Sequence, residues 1–244
     1  MFNPRTVVYT CAVLLTGQLA YAQQTPSYIF AAYYRCAVGK ESRADAIYKE
    51  TIAPLLDKQV KEGRITDFGW NRHWMGGAWR RVEYLQGTNL DKMVDARNQY
   101  IEAMQKQQAV SDEFDSICNS HDDYIWQVGA QSAATTTPPP ASLSQYLRCE
   151  SNEAEADAIV TAAIAPVLNQ HVKEGKVASW SWLQHMAGGQ ARRVLILRGA
   201  SPKAMLNYWA TLDQALEAAQ PDLFKRFSTI CFDHSDYIWE YTPR

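Results

Sequence analysis

Two kinds of hydrophobic periodicity alternate along the chain, and the alternation occurs twice. Apolar residues at every second position indicate half-buried strands, and spacings of three and four indicate amphipathic helices. The first half reads as a strand (27–36), a helix (44–60), two strands (65–74 and 79–87), a helix after Asn89 and a last strand (121–126). The second half repeats this order at 142–149, 156–172, 177–186, 191–199, after Ser201, and 234–239. The order β-α-β-β-α-β in each half predicts an α+β fold.

The repetition is also visible residue by residue. Residues 60–82 and 172–194 align without a gap and are identical at 11 of 23 positions. Such similarity within one chain indicates duplication. We therefore expect two tandem ferredoxin-like modules, at 23–128 and 142–244, joined by a proline-rich linker at 129–141.

Local signals refine the helices. Pro54 and Pro166 interrupt the first helix of each module, which predicts a kink or a break into two helices. A glycine follows each of these helices, as expected of a C-terminal cap, and Ser201-Pro202 predicts the start of a later one. The Gly-Gly pairs at 76–77 and 188–189 predict hairpin turns between the two central strands.

The first 22 residues have the features of a secretory signal peptide. Arg5 precedes an apolar run, and Ala20-Tyr21-Ala22 forms an A-x-A cleavage site. We therefore expect a periplasmic or secreted protein, cleaved after Ala22. No later stretch approaches the roughly 20 apolar residues of a membrane-spanning helix, so we expect no stable membrane insertion. The net charge of −2, without a basic stripe, argues against a nucleic-acid partner.

Four cysteines follow the predicted cleavage site, and each module holds two of them. Cys36 and Cys118 are 82 positions apart, as are Cys149 and Cys231. Four cysteines allow three pairings, of which the duplication favours the two within modules. A metal site is the rival interpretation, but there is no C-x-x-C spacing, and export favours disulfides.

The repeated order resembles the dimeric α/β-barrel superfamily, in which two ferredoxin-like sheets lay their open faces together. Here both sheets belong to one chain, so the resemblance implies a fused barrel with a pseudo-twofold axis and a monomeric pseudo-dimer. It implies a cavity inside the barrel or between sheet and helices. It implies no single reaction, because members include cofactor-free oxygenases, isomerases, cyclases and haem proteins.

His73 and His185 end the tryptophan-bearing strands and are the candidate catalytic bases. The alternative is that each caps its strand by hydrogen bonding. A second constellation could form if the modules meet about the barrel axis, with each of these histidines approaching the last strand of the other module. We expect no metal site, and the conditional alternative that follows from this arrangement comprises His121, Asp123, His234 and Asp236.

Arginines and aromatic residues at equivalent positions form the candidate ligand-binding set. An arginine could bind a carboxylate with two hydrogen bonds while aromatic rings supply the walls. The alternative is that the arginines form ion pairs, with Glu83, Asp123 or Asp236 as possible partners. The set comprises Tyr33, Arg35, Trp70, Arg80, Arg81, Tyr146, Arg148, Trp182, Arg192 and Arg193.

Three functions remain open on these observations. The first is an exported protein that binds a small aromatic or anionic molecule in the barrel. The second is a cofactor-independent monooxygenase, isomerase or cyclase that uses His73 or His185 as its base. The third is a purely structural role with a filled barrel. The sequence carries no nucleotide-binding, nucleophile-elbow or zinc-protease motif, and we expect no cofactor.

Overall fold

A computed structural model describes residues 25–242, apart from 136 and 151. The strands are β1 (Tyr28–Arg35), β2 (Asp67–Met75), β3 (Arg81–Gly87), β4 (Ser120–Gln131), β5 (Ala141–Arg148), β6 (Ser179–Gly188), β7 (Arg193–Gly199) and β8 (Asp233–Tyr241). The α-helices are α1 (Glu41–Ile47), α2 (Ala53–Lys61), α3 (Leu90–Gln105), α4 (Gln108–Ile117), α5 (Glu153–Ile159), α6 (Ala165–Lys173), α7 (Pro202–Ala219) and α8 (Pro221–Ile230). The predicted order of strands is confirmed, and the element order of the first half recurs in the second.

The eight strands close into one antiparallel barrel in the order β1-β3-β2-β8-β5-β7-β6-β4. In each half the last strand pairs with the first, β4 with β1 and β8 with β5. The halves are joined where β2 pairs with β8 and β6 with β4, as the fused barrel predicts. Replacing every strand by the one four places further along the chain reproduces the same circular order.

Alternate residues of each strand serve two different cores. One face packs under the helices and the other points into the barrel, so most strand positions are buried. Tyr34 and Trp70 belong to the helix-covered core of the first half, and Trp182 to that of the second. Tyr33 and Tyr146 lie instead in a third cluster, which is inside the barrel. The predicted sharing of faces, with Tyr33 opposite to Tyr34, is confirmed.

The two prolines are accommodated by π-helical turns. Tyr48–Ile52 and Val160–Ile164 form one such turn each, between α1 and α2 and between α5 and α6. Proline lacks an N–H, and its ring collides with the carbonyl four residues earlier in a regular helix, so a widened turn relieves the collision. Pro54 and Pro166 then occupy the first turn of α2 and α6, where no N–H is needed. The break was predicted, and its π-helical form was not.

The predicted helix ends are confirmed. Gly63 and Gly175 follow α2 and α6 with φ of +68° and +73°, the left-handed conformation that glycine adopts at little cost. At the start of α3 the side chain of Asn89 accepts a hydrogen bond from the amide of Lys92 (2.9 Å). Ser201 does the same for Ala204 before α7 (3.1 Å).

Two features of the fold differ from the expectation. A further helix, α4 or α8, stands between the second predicted helix of each half and the last strand, and its buried residues include Phe114 and Phe227. In addition, β4 runs to Gln131 and so includes the first three residues of the predicted linker. The remaining connection to β5 passes over one end of the barrel, where Ser132 bonds the backbone of Trp180.

Both predicted disulfides are confirmed. Cys36 is bonded to Cys118 and Cys149 to Cys231, each across 82 positions. The bonds arise because β4 and β8 lie beside β1 and β5, and because α4 and α8 deliver the second cysteine of each pair to the end of the first strand. The fold therefore explains the spacing.

Within residues 25–242, as far as they are described, no helix combines the length and apolarity required to cross a bilayer. The predicted signal peptide and its cleavage site lie outside the described residues.

Candidate functional site

One end of the barrel interior is filled by aromatic rings. Trp79 stacks on Tyr33 with centroids 4.5 Å apart and on Tyr237 at 4.9 Å. Tyr33 meets Tyr146 edge to face at 5.3 Å. The position equivalent to Trp79 in the second half is Ala191, which leaves room for the single indole. This end of the barrel is a packed core.

The other end holds a cavity of about 300 Å³. It exists because the positions that point inward there are small: Ala31 on β1, Ser144 on β5, Ser181 on β6. Hydrogen bonds between strands hold the barrel wall, which prevents collapse onto the space. At its mouth, residues 132–135 and Pro138-Pro139 of the connection between the halves lie against the opening.

The cavity has an apolar depth and a polar mouth. The depth is formed by aliphatic and aromatic side chains, namely Ile29, Val82, Leu183, Ile196, Tyr33, Tyr146, Trp126 and Trp239. The mouth carries polar side chains, namely Asp67, Tyr84, Gln86, Gln131, Ser142, Ser179 and Arg198. A cavity with this division suits a small ligand with an apolar body and a polar group at one end.

The tyrosines of the depth are neutral hydrogen-bonding groups. Burial raises the pKa of Tyr33 and Tyr146, so neither hydroxyl ionises near neutral pH. Of the predicted ligand-binding residues, these two line the cavity. Both were predicted from the sequence because Tyr33 and Tyr146 occupy equivalent positions in the two halves.

The remaining aromatic candidates have a structural role. Trp70 and Trp182 are buried under the helices, on the sheet face opposite to the cavity. The indole of Trp70 donates to Asp45 on α1 (2.7 Å), and that of Trp182 donates to Asp157 on α5 (2.7 Å). These tryptophans anchor the first helix of each half to the sheet.

The same aspartates bind the second arginine of each doublet. Arg81 holds Asp45 through Nε (2.6 Å) and Nη2 (2.8 Å), and Arg193 holds Asp157 through the same two atoms at 2.7 and 2.8 Å. The expectation of ion pairs is confirmed, but Glu83, Asp123 and Asp236 are not the partners of these arginines. The aspartates were not predicted from the sequence. The signal for them is the segment Ala-Asp-Ala-Ile, which occurs in both halves with its aspartate 36 positions before the second arginine of the doublet.

His73 and His185 bind the first arginine of each doublet. Arg80 donates Nη1 to Nδ1 of His73 (2.9 Å), and Arg192 donates to His185 in the same way (2.8 Å). Since arginine has no acceptor, each histidine presents an unprotonated Nδ1. Nε2 of His185 lies 3.0 Å from the carbonyl of Gly188, so the ring ties the strand to its turn. Burial lowers the pKa of His73, and Arg80 lowers it further. Neither histidine lines the cavity.

The other charged candidates lie near the surface. Arg35 pairs with Asp122 (2.6 Å) and Arg148 with Asp233 (3.4 Å), at half-exposed positions. His121 bonds Asp123 (2.8 Å), and that bond raises the pKa of the histidine. The corresponding pair in the second half is His234 and Asp236 (3.0 Å).

The conditional metal site is not assembled. In the register of β2 with β8, His73 stands opposite Trp239, and in that of β6 with β4, His185 stands opposite Trp126. The pairs His121–Asp123 and His234–Asp236 therefore remain apart from the two strand-end histidines. Across the residues that the structure describes, no three His, Cys, Asp or Glu side chains are grouped so as to hold a metal ion.

The histidines also offer no axial ligand for haem, which some proteins of this fold bind. The chain has five, and four of them are engaged as described above. The fifth, His171, bonds the hydroxyl of Tyr208 (2.7 Å) within the core of the second half. None of the five lines the cavity, so the barrel interior offers no histidine ligand to a haem.

One buried acid lies outside the barrel, under α3. Glu83 on β3 is fully buried, and Tyr100 donates its hydroxyl to Oε1 (2.5 Å). Its other oxygen has no hydrogen-bond partner among the described residues. Burial raises the pKa of Glu83 from 4.5 to about 7. The second half has Leu195 and Leu212 at the positions of Glu83 and Tyr100, so this polar pair occurs in one half only.

Comparison with solved structures shows the fold. An anthrone oxidase-like protein superimposes with a TM-score of 0.59 and 10% identity, covering 91% of this chain and 93% of its own. A mutant chlorite dismutase from Candidatus Nitrospira defluvii superimposes with a TM-score of 0.52 and 9% identity, covering 89% and 92%. No family model and no curated protein sequence matches the chain. The chain therefore shares the closed antiparallel barrel fold of these proteins, and at this identity the likeness concerns the fold alone.

Proposed function

We propose that this chain is a small-molecule-binding protein that takes an aromatic or anionic ligand into the open end of its barrel. The observation that carries the proposal is the cavity of about 300 Å³, at the lower end of the volumes typical of ligand sites. A barrel with a purely structural role would have small and large side chains matched at both ends, as they are matched around Trp79.

The enzymatic alternative lacks a histidine base at the cavity, where Asp67 at the mouth is the one carboxylate among the described lining residues. His73 and His185 are held by arginines near the strand turns, and Tyr33 and Tyr146 in the depth stay protonated because burial raises their pKa. Neighbours of this fold are described as oxidase-like and as chlorite dismutase, which keeps oxygen chemistry on an aromatic ligand as the second candidate. Turnover of a bound ligand under oxygen would favour it.

Two wider features belong to the proposal. The barrel is a fusion of two ferredoxin-like modules, 23–128 and 142–244, which the repeated element order supports. The protein is exported to the periplasm or secreted, which its two disulfides support. In that setting it acts as a monomer, since each half supplies the partner sheet of the other.

The test is to fill the cavity. Ser144 is buried and points into the cavity. Calorimetric titration with 2-naphthol and 2-naphthoate should detect binding of at least one compound to the chain, and Ser144→Phe should abolish it. The matched control is Ser116→Phe on the exposed surface of α4, which should leave binding intact. If neither compound binds, or if Ser144→Phe leaves binding unchanged, the barrel is not the ligand site.

A co-purifying ligand would identify the natural compound. Native mass spectrometry of protein isolated from its own cells should show a mass excess that disappears in the Ser144→Phe variant.

A further inference from the structure

Among the residues that the structure describes, Arg198 is the one arginine on the wall of the cavity. It lies near the end of β7, and in the register of the sheet it stands beside Ser142 of β5 and Ser179 of β6. Its Nη1 donates to Oγ of Ser181 (3.0 Å). The equivalent residue of the first half is Gln86, so the cation is present on one side of the barrel only.

The hydrogen-bonding capacity of this guanidinium is largely unused. Arginine offers five N–H donors, and the bond to Ser181 uses one of them. Burial lowers the pKa of Arg198, as expected when a charge loses its water. Within the portion of the chain that the structure describes, no carboxylate forms an ion pair with it. Arg198 is half-buried at the cavity wall, and a bound anion would compensate for the water that its guanidinium loses there.

The cavity also contains a negative charge. Asp67 and Tyr84 belong to the mouth, and the Tyr84 hydroxyl lies 3.4 Å from Oδ2 of Asp67. The carboxylate of Asp67 acts favourably on the charge of Arg198 across the cavity. Asp67 and Tyr84 make the mouth polar on a second side, but Arg198 alone presents a fork of donors that matches a carboxylate.

We propose that the ligand is a flat aromatic carboxylate of one or two rings, bound with its carboxylate on Arg198 and its ring toward Tyr33 and Tyr146. The inference rests on the proposed function, because it names the ligand class of the same cavity. The ring fits the apolar depth, where aromatic edges and faces surround the space. The carboxylate remains at the mouth, where Ser142 and Ser179 add hydroxyl donors.

The sign of the ligand's charge is tested by two substitutions that each install a neutral residue at the mouth. Arg198→Gln copies the equivalent Gln86, and Asp67→Asn removes the negative charge. For 2-naphthoate we expect Arg198→Gln to weaken binding at least about tenfold, because the substitution removes charge-assisted hydrogen bonds to the carboxylate. Asp67→Asn should tighten it a few-fold, because a repulsive charge is removed. Arg198→Lys keeps the charge and should retain part of the affinity.

Uncharged and cationic probes of the same shape separate the outcomes. In calorimetric titrations, 2-naphthamide should bind more weakly than 2-naphthoate to the unaltered chain and should respond little to Arg198→Gln. Equal binding of the two compounds would overturn the carboxylate inference and leave the proposed function standing. Preferential binding of 2-naphthylmethylammonium, lost in Asp67→Asn, would overturn it as well. Absence of binding by all three compounds would defeat the proposed function itself.

Discussion

The buried carboxyl of Glu83 should make the stability of the fold fall as the pH rises. Its pKa is raised by burial from 4.5 to about 7 in the folded protein, whereas the unfolded chain exposes an ordinary glutamate. Below pH 4.5 both states carry the proton and the group has no effect. Between 4.5 and 7 the folded protein keeps a proton that the unfolded chain releases, so the free energy of unfolding decreases. Above 7 the decrease is complete.

The magnitude follows from the difference in proton affinity. Each pKa unit of difference between the folded and unfolded states corresponds to about 1.4 kcal/mol in the free energy of unfolding. The two pKa values of Glu83 therefore imply that this free energy falls by about 3 kcal/mol between pH 4 and pH 8.5. The side chain is fully buried, so solvent screening does not reduce this figure much. Glu83→Gln keeps the shape and an acceptor for the hydroxyl of Tyr100, and it carries no ionisable proton.

The assay is urea unfolding of the oxidised protein at several pH values, monitored by tryptophan fluorescence. At pH 8.5 Glu83→Gln should be more stable than the unaltered chain by up to about 3 kcal/mol, with the difference disappearing near pH 4. Glu102→Gln, an exposed glutamate of α3, is the control and should change neither profile. If Glu83→Gln is no more stable at pH 8.5, the carboxyl is not held protonated by burial and the reasoning fails.

Three other substitutions test the roles assigned to the structural residues. Asp45→Ala leaves the nearly buried Arg81 without its partner and should lower the free energy of unfolding in urea by about 3–5 kcal/mol. Adding Arg81→Met to this variant should recover part of the loss. If the double variant is as unstable as Asp45→Ala alone, the two residues are not coupled. Cys118→Ser opens a loop of 82 positions and should lower stability by up to roughly 4.5 kcal/mol, measured by calorimetry, and an unchanged transition would contradict this. His185→Ala should lower the melting temperature and leave the affinity for 2-naphthoate within about twofold, since the ring holds a turn rather than a ligand; a large loss of affinity would restore the histidine as a site residue.

Much of the fold was predictable because the duplication gives each signal twice. The strands, the paired cysteines and the capped helices occur at equivalent positions in the two halves. A pattern that occurs twice in one chain rarely arises by chance. The additional helices α4 and α8 were missed although Phe114 and Phe227 occupy equivalent positions on them, because each is short and is separated by at most two residues from the end of the longer helix α3 or α7. The π-helical turns were missed because a proline in the sequence indicates where a regular helix is interrupted but not which irregular turn replaces it.

The site was less predictable, for two physical reasons. The partners of the arginine doublets lie on helices about 36 positions earlier, and a contact at that distance depends on the packing of helix on sheet. Arg198 was missed because it directly follows the apolar run Val-Leu-Ile-Leu and has no equivalent arginine in the first half. Comparison of the halves selects residues that both retain, and such residues here serve mainly the fold.

Closure of the barrel explains why the distinctive residues are those that differ between the halves. Both sheets face the same interior, so a large side chain from one half takes space that its equivalent would need. Trp79 fills one end because Ala191 gives way to it. At the open end Arg198 faces a wall that carries Asp67 and Tyr84, where the second half has Ser179 and Ile196. Two equivalent arginines at one narrow mouth would repel each other, whereas a single one places positive charge on one side of the mouth only. A ligand with one charged end can bind in a single orientation to such an asymmetric mouth. A symmetric barrel would not fix that orientation.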